Sequence, residues 1–403
     1  MIKKIKETIQ LGDQVLKNRI VSSPVSINMA NDFGQVTPNI ISFFSNLAQN
    51  NIAMVCVGAL GVNEEGRDSI NCLGIGEQRH LRGLNELTES IKKSGAKACG
   101  QLLHVGAQGN TKLSGARVVG PSKYIVPDIG IEAEVLSLDE IKKIEDDYVK
   151  AVLQADDAGF DFIEIHLAHG YLLHQFLSEH TNKRKDIYGG SEENRIRIVS
   201  NILEKVYKKR TIKKLAARVT GEDFTEKGLN IKKIAKLINF LDKNNFCYYS
   251  VTAGIYETAK QKYTNMKRGT YWEYSQQLKK ITQTPVIAQG NITSLEEGEK
   301  ILSEGKGDMI SMAQALIADP ELVSKSFSGK SDEVFNCLAH MKVGSCHRCR
   351  YVKQKDHSFD CVTPSAWRPV EENSSNKRFD ERKKDLEFWK LTVEKLKKLE
   401  TLK

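Results

Sequence analysis

The chain has 403 residues and a mass of 45.2 kDa. That is more than one ordinary domain needs, yet within the ~200 to over 400 residues that a single eight-stranded α/β barrel occupies. Hydrophobic residues at 40% and charged residues at 28% exclude wholesale disorder, and the net charge of +9 comes from Lys, Asp and Glu that alternate along most segments instead of gathering on one face, which argues against a nucleic-acid partner.

From the N-terminus, Met1 to Lys6 is basic but no apolar core follows, so no secretory leader is read. Every apolar run breaks well before the ~18 residues of a membrane span. A soluble, cytoplasmic protein without a membrane partner is expected. Short β-rich apolar runs then recur: Arg19 to Val25, Ala53 to Leu60, Ala96 to His104, Phe160 to His166, Lys214 to Thr220, Phe246 to Thr252, Pro285 to Gln289 and Asp308 to Ala313. Between them, segments such as Leu138 to Ala158 and Asn194 to Lys209 place apolar residues at i, i+3 and i+4, the helical period. Eight such βα units predict an α/β protein, a (β/α)8 TIM barrel, over residues 1–330. The competing doubly wound sheet would place a glycine-rich dinucleotide loop after its first strand, and Ser26 to Asn31 contains no glycine.

The pattern changes after Asp319 and Pro320. Residues 331–370 form a Cys-containing segment expected to pack on the barrel. Residues 371–403 read as a polar linker and a C-terminal amphipathic helix, with Leu386, Trp389, Val393, Leu396 and Leu399 at helical spacing. That stripe is expected to pack on the barrel or on another subunit of a homo-oligomer. Cys56, Cys72, Cys99 and Cys247 read as buried thiols of an intracellular protein. Cys337, Cys346, Cys349 and Cys361 cluster instead. They read as a zinc or iron–sulfur site or as unligated packing thiols, and their spacing leaves these alternatives open.

Barrel chemistry sits at the C-terminal ends of the strands. After the fourth strand candidate come His166, His169 and Tyr171. Neutral imidazole N–H groups can hold a carbonyl oxygen and stabilise charge developing there, and a phenol nearby can supply a proton. A metal-binding pair or ordinary loop packing is the alternative.

The run from His166 to Ser178, with His169, Gly170, Tyr171, Gln175 and Phe176, is followed by Asn182, Arg184, Asp186, Tyr188, Gly189, Gly190, Ser191, Asn194 and Arg195. This long, gap-free pattern resembles the signature of the Old Yellow Enzyme family, flavin-dependent oxidoreductases on a TIM barrel that bind FMN. Weaker matches run from Leu16 to Pro320. The resemblance implies that His166 and His169 anchor a substrate carbonyl and that Tyr171 gives the proton to the α-carbon. It places Ser23, Pro24, Val25, Ser26 and Ala59 against the flavin, Gln101 at its pyrimidine edge and Arg218 near N1. It places Gly290, Asn291, Ala313 and Gln314 at the phosphate. The implied reaction reduces the C=C bond of an α,β-unsaturated carbonyl compound with NADH or NADPH. A flavin-dependent amine demethylase or dehydrogenase, or a non-catalytic ligand-binding barrel, is the alternative.

Two positions depart from the family pattern. Gln314 stands where an Arg usually pairs with the phosphate, and Ala107 ends a motif that often ends in Arg. Larger members hold a [4Fe–4S] cluster after the barrel with four closely spaced cysteines; here Val352 and Lys353 stand where one of those would be expected.

Overall fold

The computed structural model describes residues 2–258 and 269–337. All eight expected strands form: β1 (Ile20–Ser22), β2 (Met54–Gly61), β3 (Lys97–Leu103), β4 (Phe162–Leu167), β5 (Leu215–Thr220), β6 (Tyr249–Thr252), β7 (Val286–Gln289) and β8 (Met309–Met312). Every neighbouring pair is parallel, and β1 pairs with both β8 and β2, which closes the barrel. The first strand is shorter than its apolar run because Ser23 is followed by Pro24, which has no N–H to give the ladder.

Helices follow the strands on the outside: α1 (Pro38–Gln49), α2 (Gln78–Lys93), α3 (Leu138–Asp157), α4 (Glu192–Lys209), α5 (Ala235–Lys243), α6 (Thr270–Leu278), α7 (Leu295–Ser303) and α8 (Leu322–Phe327). Their starts are written in the sequence. Ser137 and Glu140 exchange hydrogen bonds in a capping box at α3, and Ser191 and Ser294 cap α4 and α7. Helix α4 opens on Glu192 and Glu193 and ends on Lys208 and Lys209, which suits the helix dipole at both ends.

Both faces of each strand are buried, with different partners. Val55, Val57, Ala98, Ile163, Ile165, Ala217, Val219, Val251, Val286 and Ala288 point outward into the main core beneath the helices. The alternate residues point inward, as the period of two requires. Low in the barrel these are apolar or thiol-bearing: Val21, Met54, Cys56, Cys99, Phe162, Ala216, Tyr248, Ile287 and Met309. Higher up they are polar: Ser23, Gln101, Glu164, Arg218, Ser250, Gln289 and Ser311, all buried. An N-terminal hairpin, Ile9–Leu11 with Gln14–Leu16, plugs the lower end with Leu11 and Leu16. Burying each of those leucines contributes about 1.5–3 kcal/mol. The hairpin turn needs Gly12, whose φ is +53° and whose added Cβ would lie 2.7 Å from the Cys247 sulfur.

Candidate active site

The polar tier and the loops above it form one constellation. His166 sits near the end of β4, 3% exposed, with its register partner Arg218 beside it on β5. The chain then turns sharply: His169 has φ +61° and Gly170 +79°. A Cβ on Gly170 would collide with the Gln108 amide nitrogen at 2.3 Å, and that amide donates to the His169 carbonyl. Tyr171 therefore comes back over His166, its ring centroid 5.0 Å from the imidazole, just before the short helix Leu172–Leu177. The structure brings the three expected residues together.

Hydrogen bonding fixes how the imidazoles carry their protons. The Ala168 N–H donates to His166 Nδ1 at 3.3 Å. Burial pushes the His166 pKa well down, with Arg218 adding to the effect, so the ring is neutral and its proton lies on Nε2. That N–H faces His169 Nδ1 at 3.2 Å, and His169 Nε2 then donates to Thr252 Oγ1 at 2.8 Å. The protons point one way along a chain from β4 to the tip of β6. Tyr171 Oη lies 3.3 Å from Tyr256 Oη, and Tyr256 is 41% exposed. Burial, followed by Tyr256, pushes the Tyr171 phenol pKa well above its usual value.

On the adjoining wall of the barrel, Gly58 of β2 lets Pro24, just past β1, and Gln101 of β3 approach. An added Cβ would lie 2.9 Å from Pro24 Cβ and 3.0 Å from Gln101 Cβ. The Ala59 N–H donates to Ser26 Oγ at 3.5 Å, the Gly58–Ala59 peptide is cis, and Ser23 and Ser311 share a 2.6 Å hydrogen bond. Gln101 Nε2 donates to Glu164 Oε1 at 2.6 Å. Ser23, Pro24, Ser26, Ala59 and Gln101 therefore gather around one wall, with Val25 between them partly buried against the core.

Gly290 and Asn291 follow β7 with φ +102° and +52°. A Cβ at Gly290 would meet the Tyr271 ring at 2.7 Å. Packing against α6 already demands the glycine. Ala313 and the exposed Gln314 follow β8, where the short helix Gln314–Ala318 starts. Cys337 is buried against the main core, whereas Cys346, Cys349 and Cys361, like most of residues 331–403, lie outside the described residues. Among the described residues no cluster of three or more His, Cys, Asp or Glu side chains could hold a metal ion.

Glu164, Thr252 and Tyr256 were not singled out from the sequence. Glu164 had a readable signal: it lies two residues before His166 on the same strand, so it shares the inward face. Tyr256 had none, because its place depends on the course of the β6 loop.

A profile of the NADH:flavin oxidoreductase / NADH oxidase family matches residues 4–333. The chain belongs to this family. It is 31% identical over 337 residues to an NADH oxidase of Thermoanaerobacter brockii, covering 82% of this chain and 52% of that protein. It is 32% identical over 321 residues to an NADPH dehydrogenase of Bacillus subtilis, covering 79% and 93%. The chain thus spans about half the length of the first relative and nearly all of the second. Among solved structures, the old yellow enzyme homologue from Zymomonas mobilis superposes with a TM-score of 0.69 at 25% identity, covering 81% of this chain and 93% of that one. A 2-naphthoyl-CoA reductase gives 0.83 at 24% identity, covering 91% and 57%, which shows the shared fold. No helix among the described residues is long and apolar enough to cross a membrane.

The residues present fit a flavin of such a family. Arg218 is 9% exposed, its Nε is buried without a partner, and no described residue forms a salt bridge with its guanidinium. Gln289 Nε2 and Asn28 Oδ1 are buried and unpartnered as well. Buried polar groups are ordinarily hydrogen-bonded, and a buried charge left unpaired is costly. Unmet donors and an acceptor on the inner wall and its rim are what a polar, anion-forming ligand would satisfy.

Proposed function

We propose that this protein is an FMN-dependent oxidoreductase that reduces the C=C bond of α,β-unsaturated carbonyl compounds with NADH or NADPH. The observation that carries the reading is the edge-on packing of Tyr171 against the directed His166–His169 pair, beside the buried Arg218 guanidinium, whose Nε has no hydrogen-bond partner. When bound, the flavin supplies hydride transfer. In the proposed arrangement Ser23, Pro24, Val25, Ser26, Ala59 and Gln101 hold its ring, Arg218 faces the charge it acquires on reduction, and Gly290, Asn291, Ala313 and Gln314 receive its phosphate. A carbonyl oxygen seated by the two imidazoles competes with His169 Nδ1 and Thr252 Oγ1 for the same two N–H protons. Those donors stabilise negative charge developing on that oxygen more than they stabilise the neutral ground state. Tyr171, its phenol held protonated by burial, delivers a proton to the carbon next to the carbonyl, and the exposed Tyr256 hydroxyl replaces that proton from solvent.

The purified protein reconstituted with FMN should show a bound-flavin spectrum and oxidise NADH or NADPH in response to an enone. Absence of either response refutes the reading. The partition into barrel, Cys-containing segment and C-terminal helix is part of the same proposal, as is a zinc or iron–sulfur site at Cys337, Cys346, Cys349 and Cys361. The support for the metal site is the closeness of these cysteines in sequence, and metal analysis of the same sample tests it: less than one equivalent of iron or zinc overturns it.

A further inference from the structure

Glu164 lies within β4, 2% exposed, and no step of the proposed reaction uses it. Its register partner on β3 is Gln101, which donates Nε2–H to it at 2.6 Å. Burial pushes its carboxyl pKa up, against the Arg218 charge and hydrogen bonds from Gln101, Tyr248 and Ser250. Tyr248 in turn lies 3.1 Å from the Cys99 sulfur, so the carboxylate is held from below by the closed apolar tier. Burying a carboxylate has a cost that a structural role alone does not require, because a leucine or methionine could fill the same volume.

The arrangement has two chemical consequences. A carboxylate only accepts hydrogen bonds, so the amide nitrogen of Gln101 must face it and the amide oxygen must point elsewhere. Among the described residues nothing donates to that oxygen. A fixed, free acceptor suits an imide N–H, and the pyrimidine edge of a flavin carries one. The negative charge of Glu164 also acts on Arg218, the group expected to face the charge that a flavin acquires on reduction.

We propose that Glu164 is a positioning residue for the flavin. It orients Gln101 so that the amide oxygen is presented to the flavin imide, and it offsets part of the Arg218 charge. Affinity and reduction potential are thereby set from beneath the ring. The proposal rests on the flavin reading above.

The test uses the full chain, wild type and two variants, each reconstituted with FMN. Glu164→Gln keeps the volume, removes the charge and offers Gln101 an ambiguous partner. FMN affinity should fall at least tenfold, and the two-electron midpoint potential should rise by about 30 mV, the equivalent of a tenfold change. Glu164→Asp keeps the charge one methylene short of Gln101. FMN affinity should fall as well, with the potential near that of wild type. If Glu164→Gln fails to fold, Glu164→Asp decides: unchanged FMN affinity overturns the proposal. Variants with lowered melting temperature but wild-type affinity and potential would show a purely structural residue, and overturn this proposal alone. A wild type that takes up no FMN overturns the flavin reading and this inference together.

Discussion

Replacing Tyr171 by Phe separates chemistry from stability. Its hydroxyl has one hydrogen-bond partner among the described residues, Tyr256 at 3.3 Å, beyond the usual range for O–H···O. Losing a neutral bond of that length costs about 1 kcal/mol or less, which moves the melting temperature of a barrel this large by about 2 °C at most. The ring packing on His166 is kept. A positioned general acid, by contrast, contributes about 10²–10⁴ in rate, or about 2.7–5.5 kcal/mol. Anaerobic stopped-flow measurement follows the two halves of the cycle: bleaching of the flavin by nicotinamide, and its reoxidation by an enone. The expected outcome for Tyr171→Phe is reoxidation slowed by that factor with bleaching within about twofold of wild type. Because burial raises the phenol pKa, the acid stays loaded and wild-type reoxidation should be flat between about pH 6 and 9. Equal slowing of both halves would refute the assigned role, as would no slowing of either.

Tyr256→Phe should leave single-turnover reoxidation nearly intact, because Tyr171 starts protonated, while slowing steady-state turnover; a large single-turnover loss would place Tyr256 in direct contact with the reacting atoms instead. Gly58→Ala should cost about 1–3 kcal/mol by overpacking and weaken FMN binding, because the new methyl meets Pro24 and Gln101; calorimetry and FMN titration read both effects. Stability should also fall with acid. Burial lowers the pKa of His104 to about 3, so the unfolded chain takes up its proton first and binds more protons through this window. The contribution is fully present above about pH 6.5 and is lost at about 1.4 kcal/mol per pH unit as the pH falls toward 3. His166 acts with the same sign. Urea titrations at descending pH should show that slope, and His104→Gln should reduce it.

The barrel was legible in the sequence because each strand is an apolar run with a helical stretch behind it. His166, His169 and Tyr171 were legible because six consecutive residues carry them, and a strand end followed by a glycine turn keeps them together. The N-terminal hairpin was missed: its strands are three residues long, and only the open lower end of the barrel gives Leu11 and Leu16 somewhere to go. The polar tier was missed as a tier for a related reason. It takes Ser23 just past β1 and one residue from each of β3 to β8, ending at Ser311, and only closure of the sheet makes them neighbours. Of its members, Ser23, Gln101 and Arg218 were reached through family resemblance, whereas Glu164 is legible only from its place two residues before His166 on the same strand.

That division by height makes a last prediction. The lower interior is packed and sealed, so it stabilises the barrel whether or not a ligand is present. The upper interior is the reverse: Gln289 Nε2 and Arg218 Nε lie buried without partners, and each unsatisfied buried group costs about 1–3 kcal/mol. Gln289→Met keeps nearly the same volume and removes one such group. The apoprotein should therefore become more stable by about 1–3 kcal/mol, raising its melting temperature by roughly 2–4 °C. FMN should bind the variant more weakly, because the amide can no longer contribute a hydrogen bond. Ligand stabilisation grows as RT ln(1 + [L]/Kd) and reaches about 2.7 kcal/mol at a hundredfold excess over Kd. The gap between apo and FMN-loaded melting temperatures should accordingly shrink from both ends. An apoprotein destabilised by Gln289→Met would mean that the amide serves the fold and does not await a ligand.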